Sequence, residues 1–451
     1  MRPGKRAAPL PEVRPTRPNF VQTDCAQARG HGESKAVHGV SAACLGAAVL
    51  LGVLVAPVAV SAQSTGGSGL SPAAPQVLTS GYESPDDLRN DAVHNATGDQ
   101  YSAWLVESSR FVGVAFGGFM PDRAGPDAEG KERMIDFPVN VGIIKGKDGK
   151  ITLYDSGWMQ QDYIFRWNAG CCATPLRDEM RAMGLNPDDV TRIVIGHGHW
   201  DHAGQLDQFQ NGVLYVQREE LRAIDWALNY PDPKISAWNT MALGPQNPNG
   251  TFNNTCARSP ACGYPPKTVV QIAGKILSGM AQVVDGRMEI ASGLIIHPAF
   301  RGHTYGAQLL QVNTPNGQLV FGSDTYSSWE GIRDWNVANI QQTDTVQQFL
   351  AYEKCYLLTG TPTNQTPQNC IAAHERLSYS SDYPITKFWW NLVDESGKKL
   401  NCSRAAELVL ANSDTSHMPS SPDQTMCVST PSPLPPIQPE PTNPGVPGQR
   451  P

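Results

Sequence analysis

Charge is scarce in this sequence. Only 17% of its 451 residues are Asp, Glu, Lys or Arg, and the formal net charge is -7. No basic block stands ready to neutralise phosphates, which excludes nucleic acid as the main partner. Ten cysteines are present, yet none are spaced Cys-x-x-Cys, so a cysteine-built metal site is disfavoured. Hydrophobic periodicity is missing from 229 to 266. A long irregular insertion of this kind in a compact domain is a functional loop or an unfolded one. We read it as a loop at the mouth of a site, stapled by Cys256 and Cys262.

Other features are abundant. Hydrophobic residues make up 40%, enough for a sizeable core, while 42 Gly and 37 Pro predict long loops and unstructured ends. The first 62 residues are laid out as an export leader. Arg2, Lys5, Arg6, Arg14, Arg17 and Lys35 precede an apolar, Ala-rich run at 42–60, and Val60-Ser61-Ala62 is a small-residue cleavage pattern. The run is near the lower length limit for a membrane span, so cleavage is expected over retention as an anchor. The expectation is an exported protein, periplasmic or secreted, with no stable membrane insertion after cleavage. Residues 63–90, rich in Gly, Ser and Pro, read as a flexible linker, and 91–427 as the folded domain. The last stretch, 428–451, carries nine prolines and reads as an unstructured tail.

Cys25 and Cys44 fall in the leader. Eight cysteines remain, an even number that suits disulfides in an oxidising compartment. Proximity pairs Cys256 with Cys262, Cys355 with Cys370 and Cys402 with Cys427. The adjacent Cys171 and Cys172 are either a strained bridge or two buried thiols.

Strands and helices alternate along the domain. An alternating apolar pattern covers 102–116. Strands at 137–145 and 151–155 flank the turn Lys147-Asp148-Gly149. Thr174-Pro175 reads as a helix start, with Thr174 as N-cap and Gly184 near the end. A further strand leads into Ile193-Val194-Ile195-Gly196-His197-Gly198-His199-Trp200-Asp201-His202-Ala203-Gly204. Three histidines and an aspartate thus arrive within six positions at the end of a buried strand. Imidazole and carboxylate are the donors that suit zinc and similar divalent ions. Glycines at 196, 198 and 204 let the backbone turn tightly between them. Asp155 ends an earlier strand, where an acid can position a neighbouring ligand. His303, Asp324 and His374 also stand at strand ends. The apolar cluster Phe388-Trp389-Trp390 is a candidate substrate wall.

His197-x-His199-x-Asp201-His202, with Asp155 upstream and His303, Asp324 and His374 downstream, resembles the metallo-β-lactamase superfamily over roughly residues 100–380. Within it, His199 to Gly204, Val216 to Leu221 and Gly317 to Asp324 look like the N-acyl homoserine lactonase group. The resemblance implies an α/β fold, a four-layered αβ/βα sandwich with a single catalytic domain. It also implies two divalent metal ions, zinc in the first instance. His197, His199 and His303 would hold one ion, and Asp201, His202 and His374 the other, with Asp324 bridging. The implied activity is that of a dinuclear hydrolase in which a hydroxide shared by the ions opens a small-molecule lactone or ester, with N-acyl homoserine lactones as the first candidates. Asp201 would pass a proton to the leaving alkoxide. Tyr326, two positions after Asp324 where the family's tyrosine follows by three, would either donate to the carbonyl oxygen or pack. Alternatives are an arylesterase, an organophosphate hydrolase, a β-lactamase, or a non-catalytic metal-binding protein of the same fold.

Overall fold

The computed structural model describes residues 82–115, 130, 134–158, 170–229, 263–264, 266–326, 328–337, 343–380, 382–411 and 422–425. The leader, the Pro-rich tail, most of the 229–266 loop, and Cys256, Cys262 and Cys427 lie outside the described residues. Among those described, no helix is long and apolar enough to cross a membrane.

The first described helix corrects the linker boundary. Helix α1 (Pro85–Asn95) begins inside the stretch expected to be a linker. Ser84 caps it, accepting from Asp87 N–H, while the Asp87 side chain bonds back to the Ser84 backbone. This reciprocal cap, with Pro at the first helical position, outweighs the Gly, Ser and Pro density upstream. Leu88 is buried, and Glu83 and Asp91 are bonded into the fold, so the folded domain includes residues 83–90 as well.

The chain then runs through β1 (Ser102–Ala115), β2 (Met134–Lys145), β3 (Ile151–Tyr154), β4 (Gly170–Cys171), α2 (Leu176–Ala182), β5 (Val190–Val194), β6 (Val213–Gln217), α3 (Arg218–Asn229), α4 (Pro266–Leu277) and β7 (Ala281–Val284). Next come β8 (Met288–Ala291), β9 (Leu294–Pro298), β10 (Gln308–Thr314), β11 (Gly317–Phe321), α5 (Trp329–Arg333), α6 (Thr345–Thr359), β12 (Cys370–Ile371), β13 (Phe388–Val393) and β14 (Lys399–Val409). The larger sheet has the order β13-β14-β1-β2-β3-β5-β6-β7, with β4 paired to β1, and its β3-β5-β6-β7 half is parallel. The smaller sheet has the order β12-β11-β10-β9-β8.

Side chains alternate faces along a strand, and this alternation builds the layers. In the larger sheet Trp104, Val106, Val141, Ile143, Leu153, Ile193 and Leu214 pack outward against Leu176 and Met180 of α2, Ile224 of α3 and Ile272 of α4. Their neighbours Ala103, Leu105, Ile144, Tyr154 and Val194 face inward, against Leu294, Ile296, Leu310, Val312, Leu319 and Phe321 of the smaller sheet. That sheet's outer face, with Leu309 and Val320, is covered by Leu88, Ile332, Ala351, Tyr352 and Leu358. Helix, sheet, sheet and helix give the αβ/βα sandwich. Each fully buried Leu, Ile or Val contributes roughly 1.5–3 kcal/mol, so the period of two is energetically enforced.

Two local expectations are revised. Thr174 does not cap α2; Pro175 stands at that position with no side-chain bond, and the Thr174 hydroxyl instead accepts from Ser403 Oγ at 2.8 Å. Trp390 of β13 lies in the outer core of the larger sheet, where it packs rather than lining a site. The expected Cys355–Cys370 bridge is present, with Cα atoms 6.0 Å apart, and Cys172 and Cys402 are disulfide-bonded as well.

Candidate metal centre

Five strand ends meet at one edge of the sandwich. The ends of β3 and β5 come from the larger sheet. The β9–β10 connection and the ends of β11 and β12 come from the smaller one. Three non-glycine residues at these ends adopt the left-handed region: Asp155 (φ 66°), Arg301 (φ 64°) and Ser323 (φ 48°). Such backbone costs of order 1–3 kcal/mol per residue and persists where the surroundings enforce it, as they do at functional sites.

The seven expected ligands converge here in two groups. The donor atoms of His197, His199 and His303 lie within 4.8 Å of one another, as do those of Asp201, His202, Asp324 and His374. His303 Nε2 is 3.1 Å from His199 Nδ1 and 3.4 Å from Asp324 Oδ2. The other oxygen, Asp324 Oδ1, is 3.1 Å from His202 Nε2 and 2.8 Å from His374 Nε2. Asp201 Oδ2 is 3.3 Å from His202 Nε2 and 3.5 Å from His374 Nε2. Asp324 therefore faces both groups at once, one oxygen to each.

The outer faces of these rings are fixed by hydrogen bonds. His202 Nδ1 donates to Asp155 Oδ2 at 2.9 Å, and Asp155 Oδ1 accepts from Gly196 N–H at 2.6 Å. Ser323 Oγ donates to Asp155 Oδ2 at 2.8 Å and lies 3.3 Å from His197 Nδ1. His374 Nδ1 donates to the Pro138 carbonyl at 2.8 Å. With the proton held on Nδ1, the Nε2 lone pair of each ring points inward. The Nε2 atoms of His197, His202 and His374 are buried with no hydrogen-bond partner of good geometry. Buried nitrogens are seldom left so without reason. Oriented lone pairs beside two carboxylates fit divalent cations. Asp155 thus ties the His202 ring to the Gly196 backbone.

Charge is arranged unequally. Burial, then the neighbouring histidines, hold His197 well below the usual histidine range and His199 down to about 3. In the other group burial also opposes charge. There the carboxylates prevail, raising His202 well above its usual range and His374 to about 9. Asp201 and Asp324 are correspondingly held far down: burial resists, but the facing histidines outweigh it. One half holds His197 and His199 against protonation, and the other is an acid-rich set that attracts positive charge.

Tyr326 corrects an expectation. It is fully buried in the outer core of the smaller sheet, and its hydroxyl donates to the Ala351 carbonyl at 3.1 Å. The one-turn 3₁₀ segment Ser323–Thr325 carries the chain past Asp324, so a tyrosine two positions on points under α6 instead of toward the ligands.

Several supporting residues escaped the sequence reading. Gly263 sits against the His199 ring: a Cβ there would lie 2.1 Å from His199 Cδ2, and its φ is +113°. A Cβ at Gly196, a glycine already marked in the sequence, would lie 2.2 Å from the Cβ of Ser323, which was not. Phe111, Phe137 and the stacked pair Trp158 and Trp200 make an apolar wall around His374, with the Phe137 and Phe111 rings 5.0 and 5.5 Å from its ring. The strand-end position of Ser323, just before Asp324, was the one available signal among these. A third buried group, Glu83, Asp91 and His297, is already neutralised. Lys354 Nζ lies 2.8 Å from Glu83, and Arg287 grips Asp91 through two bonds.

The sequence model of the metallo-beta-lactamase superfamily matches residues 134–234. N-acyl homoserine lactonase AiiB of Agrobacterium fabrum is 31% identical over 99 residues, 20% of this chain and 36% of that protein. N-acyl homoserine lactonase AttM of Azorhizobium caulinodans is 37% identical over 57 residues, 13% of this chain and 20% of that protein. The chain's match thus spans about a third or less of the length of these curated relatives. Among solved structures, a quorum-quenching N-acyl homoserine lactone lactonase aligns at TM-score 0.41 and 15% identity, covering 63% of this chain and 95% of its own. AidC, a dizinc quorum-quenching lactonase, aligns at TM-score 0.41 and 16% identity, covering 70% and 96%. The chain carries a metallo-beta-lactamase domain. Within that superfamily its matched segments are similar to N-acyl homoserine lactonases.

Proposed function

We propose that this protein is a dinuclear metal-dependent hydrolase that opens a lactone or ester bond, with N-acyl homoserine lactones as the first candidate substrates. One observation carries the reading: seven donors from both sheets converge in two adjoining groups, with histidine lone pairs held inward. His197, His199 and His303 would hold one divalent cation, and Asp201, His202 and His374 a second. Asp324 would present one oxygen to each. The mixed nitrogen and oxygen donor set suits zinc. Bound cations supply a hydrolytic nucleophile near neutral pH and positive charge where an oxyanion develops.

The chain's own residues do the rest. Asp155, Ser323 and the Pro138 carbonyl hold the imidazole tautomers. Asp201 accepts the proton released as water adds to the carbonyl carbon and returns it to the ring oxygen. The carbon–oxygen bond of the ring breaks, and the product is a hydroxy acid. The Phe111, Phe137, Trp158 and Trp200 wall excludes bulk water on the His374 side. Tyr326 takes no part in polarising the carbonyl. Its turned-away side chain favours, as a second reading, another hydrolase activity of the superfamily, on an aryl ester or an organophosphate.

Metal analysis of purified protein and a substrate panel test this. About two divalent ions per chain and turnover of an acyl homoserine lactone are expected. Less than about one ion per chain overturns the hydrolase reading. Turnover of an aryl ester, phosphotriester or β-lactam without lactone turnover overturns the lactone assignment.

A further inference from the structure

Glu220 lies in the first turn of α3, is fully buried, and is no member of the ligand set. Four donors from three separate segments converge on its carboxylate. Oε1 accepts from Gly198 N–H at 2.7 Å and from the Tyr264 hydroxyl at 2.8 Å. Oε2 accepts from the Thr304 hydroxyl at 2.7 Å and from Gly306 N–H at 3.0 Å. Gly198 stands between His197 and His199. Thr304 follows His303. The Tyr264 ring packs edge-on against His199, 5.1 Å away. All three histidines of the first group thus hang from segments that this one carboxylate ties together. None of these bonds reaches the Asp201, His202 and His374 group.

We propose that Glu220 is the positioning residue of the first metal position, setting the separation of the 197–199 loop from the 303 loop so that three imidazoles meet at one point. The inference rests on the two-cation reading given above. Its physical basis is the number of acceptors required. A carboxylate offers two acceptor oxygens, and both are used here by donors on different loops. Two of the donors are hydroxyls, which can rotate away, and two are backbone N–H groups, which cannot. An amide in place of the carboxylate keeps the shape but turns one oxygen into a donor. Whichever way it is flipped, its NH2 meets a fixed N–H, of Gly198 in one orientation and of Gly306 in the other. One loop must then move, and the histidine it carries moves with it.

The test uses the full-length protein, stripped with chelator and titrated with Zn2+ against a chromophoric competitor, and with Co2+ by visible absorption. Wild type is compared with Glu220→Gln, with Glu219→Gln, the half-buried neighbour in the same turn that pairs with Arg222, and with His374→Ala, which removes a donor from the other group. In Glu220→Gln one of the two affinities should fall 10- to 100-fold, the range for residues that orient metal ligands, while the other stays within twofold. The Co2+ band lost should be the one that survives in His374→Ala. Glu219→Gln should match wild type. Two wild-type affinities in a folded Glu220→Gln protein, or equal losses at both positions, overturn the inference. Should Glu220→Gln fail to fold, Tyr264→Phe, which removes one donor and keeps the carboxylate, replaces it. A severalfold loss at the same position supports the inference and none overturns it. A wild-type protein that binds no cation fails at the parent reading instead, so the two failures are distinguishable.

Discussion

Removing the Cys355–Cys370 bridge gives the sharpest energetic test of how the second ligand group is held. The bond joins α6 to β12, a strand paired to the smaller sheet only through Val320↔Cys370 and Phe321↔Ile371. His374 follows β12 by three residues. The bridge closes a loop with a sequence separation of 15. In the chain-entropy account, cross-linking a loop of that size removes about 10 cal/mol/K from the unfolded chain, or about 3 kcal/mol at 25 °C. Both cysteines are fully buried, so replacement by alanine avoids placing new hydroxyls in the core. The expected outcome for Cys355→Ala with Cys370→Ala is a loss of about 3 kcal/mol in unfolding free energy, read by urea titration of non-reduced samples. Adding a non-chelating reductant should lower the wild type by more than the variant, which keeps the disulfides of Cys172 and Cys402, and so narrow the gap between them. Because His374 follows the bridged strand by three residues, retention of the second metal equivalent should fall along with stability. A change below about 1 kcal/mol, or a wild type insensitive to reductant, would refute the reasoning.

Other outcomes follow from single contacts. Tyr326→Phe should cost about 1 kcal/mol, the usual value of one hydrogen bond, through loss of the bond to the Ala351 carbonyl, and should leave turnover within about twofold; a loss above about tenfold would return Tyr326 to the chemistry. Gly263→Ala should abolish most turnover with an unchanged far-UV circular dichroism spectrum, since the added methyl occupies the place of the His199 ring; near-normal activity contradicts the packing argument. Burial resists ionisation of Glu83, but His297 and Lys354 outweigh it and pull its carboxyl from 4.5 to about 2. A carboxylate depressed on folding stabilises above its unfolded value and loses that contribution as pH falls through the folded one, here between about 4.5 and 2. The shift corresponds to about 3 kcal/mol, so the stability gap between wild type and Glu83→Gln should shrink across that window, and a constant gap argues against it.

Much of the site was legible because metal ligation constrains residue type. His197, His199, Asp201 and His202 sit close together after a strand, and His303, Asp324 and His374 share the trait of following one. The layers were legible because residues such as Leu309 and Leu310 must face opposite ways, so both faces of each sheet read as apolar. What stayed hidden depended on local turns or distant partners. The direction of Tyr326 is set by a 3₁₀ turn that breaks the alternation of the strand before it. The start of α1 was obscured by upstream composition, although Ser84-Pro85-Asp86-Asp87 spells out a cap. Thr174 looked like a cap because its partner, Ser403, lies more than two hundred positions away. Glu220 could not be found from spacing, since its donors come from segments that meet only in the folded chain.

Each group of donors draws from opposite sheets: His197 and His199 against His303, and Asp201 and His202 against Asp324 and His374. Gln308 N–H adds a backbone bond to the Gly196 carbonyl at the same seam, 2.8 Å long. On the proposed reading, the ions are a clasp, and prying the two halves of the sandwich apart there means surrendering both. Occupancy and cohesion then form one equilibrium, in which hundredfold saturation of a single position adds about 2.7 kcal/mol. A protein stripped of its ions would exchange amide hydrogens first along this seam, well before the far rims of either sheet.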